Sequence, residues 1–419
     1  MIVVIADDLS GAAELANIAR QSGLTAEVRW RGQPPRKVDL CAIDLNTRSL
    51  PAEMAGQRMA DTYRTVLTWQ PEWVYRKVDS VLRGQVGFEI EAMLAAAGQR
   101  RALLVPANPR RQRTIVGSRY FVQGAPLDQS PLARDPDHPR RSCHLRDLVP
   151  VLRIPLHAGA TPGPTPCEGI AIPDVTCDDD LTRLANLASG YEVVAGAAEF
   201  FEALLRVRGA AALPCAPPNA VPHDLPRALP HGPAPVLGGK RGLAGGAELL
   251  VCGSRVAWPE RLALATACGQ KLFALPPTWW GDLSLGADES DPTALLPYSE
   301  WLDDVVATLR HTGRAGIGIG ELGAESNGNN PPIRTDLLLQ GLAAAAEHVA
   351  QRVPVNRWLL EGGATASAVL RRLNVDSCAL GDAQEAGIGE LRHPGIDQVR
   401  YYVKPGSYAW PTGLWPGID

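Results

Sequence analysis

A chain of 419 residues is longer than a single hydrophobic core usually supports, which predicts two domains. Its 45% hydrophobic and 21% charged residues are typical of a soluble protein, and a formal net charge of −4 gives no electrostatic reason to expect nucleic acid or an anionic membrane as a partner. We expect a cytoplasmic protein with reduced thiols, because no apolar run is long enough to cross a bilayer, MIVVIADD lacks the features of a signal peptide, and the eight cysteines show no CxxC spacing.

The first half of the chain alternates short apolar runs with amphipathic segments. Strands are predicted for IVVIA, AEVRW, VDLCAIDL, EWVYRKV, RALLVPA and YEVVAG, and helices for residues 11–20, PAEMAGQRMADTYRTVL, GFEIEAMLAAAG and AAEFFEALLRV. Strands that alternate with helices over short connections predict a mostly parallel, helix-covered sheet. A segment rich in Arg, Asp and Pro, from about residue 108 to 141, is predicted to be a long loop.

A change of composition divides the chain in two. Residues 213–247 are dense in Pro and Gly and lack periodicity, which predicts a linker. Strand and helix patterns then resume, from AELLVCG and PERLALATACG to TASAVLRRL and DQVRYYVKPG. We therefore predict an α/β fold with two domains, 1–212 and 248–419, each a mostly parallel or mixed sheet covered by helices, with a crevice between the domains.

Two adjacent carboxylates follow the first predicted strand. In ADDLSGA, Asp7 and Asp8 stand at the carboxyl end of IVVIA, the edge of an open α/β sheet at which ligands bind. One acid can cap the next helix, whose N-terminus stabilises it. A second acid beside it is unfavourable unless a cation or a hydroxyl-rich ligand offsets its charge. The pair indicates a binding site, with helix capping as the structural alternative.

A second polar group follows a later strand, in YRKVDSVLRG. Lys77 and Arg83 can hold a carboxylate there, and Asp79 can accept from hydroxyl groups or take a proton. The structural alternatives are that Ser80 caps the following helix and that Lys77 pairs with Asp79. At a neighbouring strand end, Lys77 is predicted to supply the positive charge that the paired aspartates need.

A basic cluster follows the next predicted strand, RALLVPA. It consists of Asn108, Arg110, Arg111 and Arg113. Such clusters are usually solvated surface, and the alternative is a binding role over the same strand ends.

Strand ends in the second half carry glycine turns. These turns, in VCGSRV, LLEGGATAS and YYVKPGSY, contain the candidate phosphate-binding residues Ser254, Gly362, Gly363, Ala364, Thr365 and Gly406. Glycine lets a backbone approach phosphates and expose helix N–H groups to them, although it also fills ordinary tight turns. Neither GIGELG nor LGGKR has the context of a dinucleotide fingerprint or a P-loop, so any nucleotide site is of another kind.

Taken together, these motifs resemble those of the four-carbon acid sugar kinase family. ADDLSGA is similar to the ADDLTGA of that family, with Ser10 in place of threonine, and KVDSVLRG is similar to KVDSTLRG. PANPRRQRTIVGSRYFVQGAPL with the following LARDP, GGATAS and VKPGSY also resemble family motifs. The motifs occur in the family's order and span nearly the whole chain.

The resemblance implies an N-terminal domain that binds an acid sugar and a C-terminal domain that binds ATP. The implied reaction, with Mg²⁺, moves the γ-phosphate of ATP to the terminal hydroxyl of a substrate such as threonate, erythronate or 3-oxo-tetronate. The implied sugar site contains Asp7, Asp8, Lys77, Asp79, Ser80 and Arg83, to which the basic segment adds Asn108 and Arg113. The implied ATP site contains Ser254, Gly362, Gly363, Ala364, Thr365 and Gly406. Asp8 or Asp79 would act as base or orienter and Lys77 would stabilise charge, while no metal ligand is assigned.

Some positions depart from the family pattern. Ala364 stands where many members carry an acid, Gln112 stands at the glycine of a GRT motif, and Arg110 and Arg111 make their segment unusually basic. These departures leave open a more anionic substrate or weakened use of ATP.

Other functions stay open at this point. One is a non-catalytic regulatory descendant that binds ATP and a sugar acid. Another is a phosphatase or phospho-acceptor protein that uses the N-terminal aspartates, although DDLSG lacks the expected DxD spacing. The expected partner is a small molecule and neither nucleic acid nor membrane, and assembly into a homo-oligomer stays open.

Overall fold

The computed structural model describes residues 1–30, 38–134, 139–159, 166–208, 246–255, 257–276, 299–320, 335–381, 388–393, 395–404, 410–411 and 414–415. Its backbone forms two compact units, Met1–Ala220 and Val221–Asp419. The predicted linker lies outside the described residues except at its end, where a strand begins at Ala247. The linker and the domain boundaries beside it remain predictions. None of the helices in the described segments is long and apolar enough to cross a membrane.

The first unit contains a parallel sheet and a small antiparallel sheet. Its strands are β1 (Ile2–Ala6), β2 (Ala26–Arg29), β3 (Leu40–Asp44), β4 (Trp73–Lys77), β5 (Arg101–Val105), β6 (Arg113–Val116), β7 (Arg119–Val122), β8 (Ala125–Pro126), β9 (Leu156–Ala158), β10 (Gly169–Ile172) and β11 (Val193–Gly196). The strand order of the parallel sheet is β2–β3–β1–β4–β11–β5–β10–β9. Every residue of β1 is buried, since both faces of a central parallel strand are covered, and this explains the unbroken apolar run IVVIA.

Helices cover the parallel sheet of the first unit. They are α1 (Leu9–Gln21), α2 (Ala52–Thr68), α3 (Val86–Ala97), α4 (Leu145–Leu148), α5 (Asp178–Leu187) and α6 (Ala198–Val207). Helix α6 contacts both α1 and α5, while α2 packs against α3. Helix α1 begins directly after Asp8, whose side chain caps it by accepting a hydrogen bond from Gly11 N at 2.8 Å.

The prediction of a loop from about residue 108 to 141 is wrong in part, because β6, β7 and β8 form an antiparallel sheet within it. The strands are joined by two-residue turns, and Gly117 and Ser118 have φ of 57° and 63°. Turns with both central residues at positive φ match the twist of a hairpin. The alternation of buried and more exposed residues around Ile115 and Tyr120 is the sequence signal for these strands, but the many neighbouring arginines made it hard to recognise.

The second unit is a mixed sheet with its own helices. Its strands are β12 (Ala247–Cys252), β13 (Leu272–Ala274), β14 (Arg314–Gly318), β15 (Val355–Glu361), β16 (Ser377–Leu380), β17 (Gly389–Arg392) and β18 (Arg400–Lys404). Its helices are α7 (Trp258–Ala267), α8 (Ser299–Thr312), α9 (Thr335–Arg352) and α10 (Gly363–Arg372).

The strand order of this sheet is β13–β14–β12–β15–β18–β17–β16. Pairs from β13 to β18 are parallel, whereas β17 is antiparallel to both of its neighbours. Leu250, Leu359, Trp410 and Trp415 lie in its buried core. The prediction of α/β units with mostly parallel or mixed sheets is confirmed, and the crevice between domains stays a prediction.

Candidate active site

The candidate site of the first unit lies where β1, β3 and β4 end. In the parallel register Ala6 is the partner of both Asp44 and Lys77, so these strands end side by side. The chain leaves β1 for β2 and β3 on one side, and β4 lies on the other. This arrangement makes the edge a topological switch point, where ligands of open α/β sheets bind.

Carboxylates gather around one guanidinium at this edge. Arg48, in the loop after β3, places Nε 2.7 Å from Asp7 Oδ2 and Nη1 2.8 Å from Asp8 Oδ2. Its Nη2 lies 3.9 Å from Asp79 Oδ1. Sequence reasoning missed Arg48, which belongs to no motif. The aspartates predicted from the strand ends are therefore brought together, and Arg48 holds them.

The structure adds Arg48 to the predicted positive charge of Lys77: the charge of Lys77 lowers the pKa of Asp8, but Arg48 makes the direct contacts. Lys77 Nζ lies 3.3 Å from Glu14 Oε2 on α1, whereas Arg48 contacts both aspartates. A planar guanidinium can reach two carboxylates at once, which an ammonium group does less readily. Lys77 still borders the site, because a methyl group added at Gly11 would lie 3.1 Å from Lys77 Nζ and 2.9 Å from Asp8 Oδ1.

The surroundings of Asp8 keep its carboxyl group ionised. Burial is the largest influence on its pKa and favours the neutral acid, but the charges of Arg48 and Lys77 oppose it. Hydrogen bonds from the Ser10 hydroxyl and from Gly11 N also favour the carboxylate. Together they lower the pKa of Asp8 below its ordinary 3.8, so the group is a carboxylate at neutral pH.

Asp79 organises the turn that follows β4. Its Oδ1 lies 2.8 Å from Arg83 Nη2, and its Oδ2 accepts from the backbone N–H of Val81 at 3.1 Å and of Arg83 at 3.2 Å. Burial favours the neutral acid, but the charges of Arg83 and Arg48 hold the pKa of Asp79 well below 3.8. Asp79 is thus a structural anchor of the turn as well as a candidate site residue.

The low pKa of Asp79 predicts a pH-dependent contribution to stability. A carboxyl group whose pKa is depressed by folding stabilises the protein above its unfolded pKa, near 3.8, and this is lost as the pH falls through the folded pKa. Asp79→Asn is expected to lower the free energy of unfolding by about 2 kcal/mol at neutral pH. The difference from the wild type should shrink between about pH 5 and about pH 2. Denaturant unfolding across this range measures it, and a constant difference would contradict the assignment.

Ser80 is held by the antiparallel sheet and does not act as a helix cap. Its hydroxyl oxygen accepts from Arg113 Nη1, and its carbonyl oxygen accepts from the Tyr120 hydroxyl. Tyr120 is fully buried, and its hydroxyl also lies 3.3 Å from the carbonyl oxygen of Pro106. Within the described residues, Arg113 has no carboxylate at ion-pair distance, and Ser80 is its side-chain partner. Its guanidinium can therefore receive the carboxylate of a ligand.

The rest of the basic cluster has structural partners. Asn108 Oδ1 accepts from the backbone N–H of Glu199 at 3.3 Å. Arg110 Nε lies 3.6 Å from Glu199 Oε2, and Arg111 Nη2 lies 3.4 Å from Glu14 Oε1. Acids on α1 and α6 thus balance the added arginines, so these two arginines do not argue for a more anionic substrate.

Candidate nucleotide residues of the second unit come together at the ends of β12 and β15. These strands are parallel neighbours, and Cys252 is the partner of Glu361. Ser254 follows β12, and its hydroxyl accepts from the backbone N–H of Ala257 at 3.3 Å. Gly362 has a φ of 102°, which side chains rarely adopt, and no described side chain caps α10 after it. The predicted site residue Gly406 lies outside the described residues.

The first turn of α10 presents backbone groups rather than long side chains. Gly363 begins the helix, Ala364 is exposed, and Thr365 is buried. A methyl group added at Gly253 would lie 1.9 Å from Thr365 Oγ1, so the loop after β12 and the turn after β15 touch. N–H groups at an uncapped helix N-terminus bind anions, and the arrangement is suited to phosphate.

Gly253→Ala is expected to separate these two turns. The added methyl group meets Thr365 and lies 3.0 Å from Leu339 Cδ2, and such overpacking costs about 1–3 kcal/mol of stability. We expect a lower melting temperature, measurable by thermal unfolding. Gly56→Ala in α2 is the control, because its methyl group would meet atoms no closer than 3.7 Å. Equal behaviour of the two variants would contradict the predicted contact.

A buried polar cluster lies at the ends of β15 and β18. Glu361 Oε1 lies 3.0 Å from Lys404 Nζ, and Glu361 Oε2 accepts from Arg261 Nε at 3.1 Å and from Trp410 Nε1 at 2.9 Å. Neither Lys404 nor Glu361 is exposed to solvent. The cluster therefore supports the glycine turn, and the ammonium group of Lys404 is held inside it by Glu361.

The acidic side chains of the first unit suit a metal ion that is bound partly by ligands from outside the protein, rather than one bound by protein side chains alone. The described residues contain no group of three or more His, Cys, Asp and Glu side chains arranged to hold a metal ion alone. Mg²⁺ is commonly held by one or two carboxylates together with substrate phosphates. Asp7 Oδ1 is buried and has no hydrogen-bond partner among the described residues, which makes it a suitable acceptor for a metal ion or a hydroxyl group.

Comparisons with known proteins find relatives that are named as kinases of four-carbon sugar acids. Residues 2–152 match the family model of a sugar-binding N-terminal domain. The chain is 29% identical to a 3-oxo-tetronate kinase of Methylobacterium radiotolerans, over 99% of this chain and 96% of that protein. It is 28% identical to a D-threonate kinase of Salmonella typhimurium over 45% of this chain, a match that spans only 48% of that kinase.

One solved structure shows the same fold over nearly the whole chain. It is a Salmonella typhimurium protein provisionally described as a tRNA synthase. The superposition has a TM-score of 0.66 and covers 97% of this chain and 96% of that chain, at 18% identity.

Proposed function

We propose that the chain is a member of the four-carbon acid sugar kinase family and that it transfers the γ-phosphoryl group of ATP to the terminal hydroxyl of a four-carbon acid sugar. The acid sugar would bind at the switch point of the first unit, and the nucleotide at the glycine turns of the second. Candidate acceptors are threonate, erythronate and 3-oxo-tetronate.

The observation that carries the proposal is the chemical complementarity of the site in the first unit. Asp7 and Asp8 offer carboxylate oxygens, which accept hydrogen bonds from hydroxyl groups. Arg113 offers a guanidinium that has no carboxylate partner among the described residues. A small molecule with hydroxyl groups at one end and a carboxylate at the other satisfies both.

We assign the orientation of the attacking hydroxyl to Asp8 and not to Asp79. Both carboxylates accept hydrogen bonds on both oxygens, but those of Asp79 come from its own turn, whereas Asp8 lies close enough to Lys77 for that charge to lower its pKa. The lowered pKa of Asp8, which burial opposes and Arg48 and Lys77 cause, makes it a weak base. Phosphoryl transfer relies more on alignment than on proton removal, so an orienting carboxylate suffices.

Lys77 would stabilise negative charge on the acid or on the transferred group. In the structure its ammonium group pairs with Glu14, which is 32% exposed and can be displaced. In the second unit, the N-terminal N–H groups of α10 would bind phosphate oxygens. Mg²⁺ bound with the nucleotide would supply charge neutralisation on the phosphates, and Asp7 would be a candidate for its protein ligand.

The departures from the family pattern do not disturb the described backbone at either turn. Gln112 has a φ of 53°, the left-handed conformation that its glycine counterpart would favour. Ala364 lies exposed in the first turn of α10, where an acid would face outward. We therefore expect ATP to bind without a carboxylate at this position.

The experiment is ADP release with Mg-ATP, measured across threonates, erythronates and 3-oxo-tetronates in both configurations. The proposal predicts ADP release that depends on one of these acids. If ATP raises the melting temperature but no acid supports ADP release, the result would count against the kinase and support a non-catalytic binding protein.

A further inference from the structure

A second layer of buried polar side chains lies directly beneath the carboxylate cluster of the candidate site. Arg76 in β4, Glu89 in α3 and Thr47 in the loop after β3 are fully buried in the first unit. Arg76 Nη2 donates to Glu89 Oε2, and the Thr47 hydroxyl donates to Glu89 Oε1. Both carboxylate oxygens of Glu89 are therefore occupied by groups from two different strand ends.

The layer contacts the strands that end at the candidate site and the helix that follows it. Arg76 Nη1 donates to the carbonyl oxygen of Ile5 in β1, at 3.1 Å, and to that of Lys77 at the end of β4. Glu89 belongs to the first turn of α3, the helix that follows the Asp79 turn. The ion pair thus ties β1, β4 and α3 together.

Thr47 connects this layer to the guanidinium of the site. The backbone N–H of Thr47 donates to the carbonyl oxygen of Asp7 at 3.0 Å, and that of Arg48 donates to the same oxygen at 3.3 Å. The Thr47 side chain points down to Glu89, while the Arg48 side chain points to Asp7 and Asp8. The contacts of Thr47 therefore also fix the backbone position from which the Arg48 side chain extends.

We propose that Arg76, Glu89 and Thr47 are positioning residues, which set the placement of Arg48 against Asp7 and Asp8 without touching the substrate. Burial favours the neutral acid and raises the pKa of Glu89 despite Arg76, so the layer is energetically costly to keep. The hydrogen bonds of this ion pair fix the relative positions of β1, β4 and α3, whereas apolar packing is not directional. Only the expected effect of these residues on turnover rests on the proposed kinase activity.

The test compares Thr47→Val with Thr47→Ser. Valine matches the shape of threonine and lacks its hydroxyl, whereas serine keeps the hydroxyl. Because a misplacement of about 1 Å can cost about 100-fold, we expect kcat to fall about 10- to 100-fold in Thr47→Val, with KM changed less than about threefold. Thr47→Ser should recover most of the turnover. Thr65→Val on the exposed face of α2 is the control for loss of a threonine hydroxyl and should behave as the wild type.

A second readout needs neither acid nor ATP. The backbone N–H groups at positions 47 and 48 should exchange with solvent about tenfold faster in Thr47→Val, and at the wild-type rate in Thr47→Ser. Unchanged exchange in Thr47→Val, or faster exchange with unchanged kcat, would overturn the proposal. A wild type that releases no ADP would instead count against the kinase, and hydrogen exchange would still decide whether the layer holds Arg48 in place.

Discussion

Asp8→Asn is expected to lower kcat by about 100-fold or more, because a reacting hydroxyl misplaced by about 1 Å can cost about that factor. Asparagine has nearly the same shape, but it removes the charge that Arg48 and Lys77 hold in place. It also replaces one acceptor oxygen by a donor, so a hydroxyl group can no longer be oriented in the same way. Steady-state kinetics of ADP release, with the acid that serves as substrate, measures the effect.

Asp61→Asn is the matched control for this substitution. Asp61 is on α2, its side chain is 60% exposed, and its ion pair with Arg64 is on the surface. Surface pairs contribute little, so the control should keep wild-type kinetics and stability. Equal kcat in Asp8→Asn and Asp61→Asn would remove Asp8 from the reaction.

Arg48→Ala is expected to lower the stability of the first unit strongly. It leaves the carboxylates of Asp7, Asp8 and Asp79 buried without the cation that they share. Removing one partner of a buried ionic group costs about 3–5 kcal/mol, and we expect a loss of this size at neutral pH. Denaturant unfolding of the variant and the wild type measures it.

The pH dependence of the Arg48→Ala effect has a definite sign. Without Arg48 the folded pKa of Asp8 rises, because burial then dominates, and protonation relieves the repulsion. The stability difference from the wild type should therefore shrink as the pH falls toward about 4. Arg64→Ala, which removes a surface arginine from α2, should change stability by less than about 0.5 kcal/mol at any pH. A loss in Arg48→Ala that is equally small would contradict the shared role of this guanidinium.

The polar residues at strand ends could be predicted from the sequence. Asp7, Asp8, Lys77 and Asp79 directly follow or end apolar runs, and parallel strands bring their carboxyl ends to one edge. The alternation of elements likewise sufficed for the α/β class. These features are local in sequence, so neighbouring residues reveal them.

Arg48 could not be predicted in the same way. It lies in the loop after β3, and its role depends on the register that places Asp44 beside Ala6. The same holds for Glu89, whose partners Thr47 and Arg76 come from separate segments. The sequence shows which residues are charged, but only the tertiary structure shows which opposite charges are in contact.

The basic segment after β5 shows a second limit of sequence reasoning. Its arginines left both a solvated surface and a binding role open, because their partners were not visible in the sequence. Glu14 and Glu199 pair with Arg111 and Arg110 from helices distant in the chain, whereas Arg113 meets the Ser80 hydroxyl. The sequence could identify the cluster, but it could not sort binding from structural arginines.

The most direct test of the proposed function is phosphorus NMR of the reaction mixture, with the wild type, Mg-ATP and the acid that supports ADP release. The account predicts a new phosphate ester whose phosphorus couples to the protons of the terminal carbon of the acid, and a signal weaker by about 100-fold or more with Asp8→Asn after the same short incubation. Inorganic phosphate as the only product, or phosphate attached to the carboxyl group, would contradict transfer to the terminal hydroxyl.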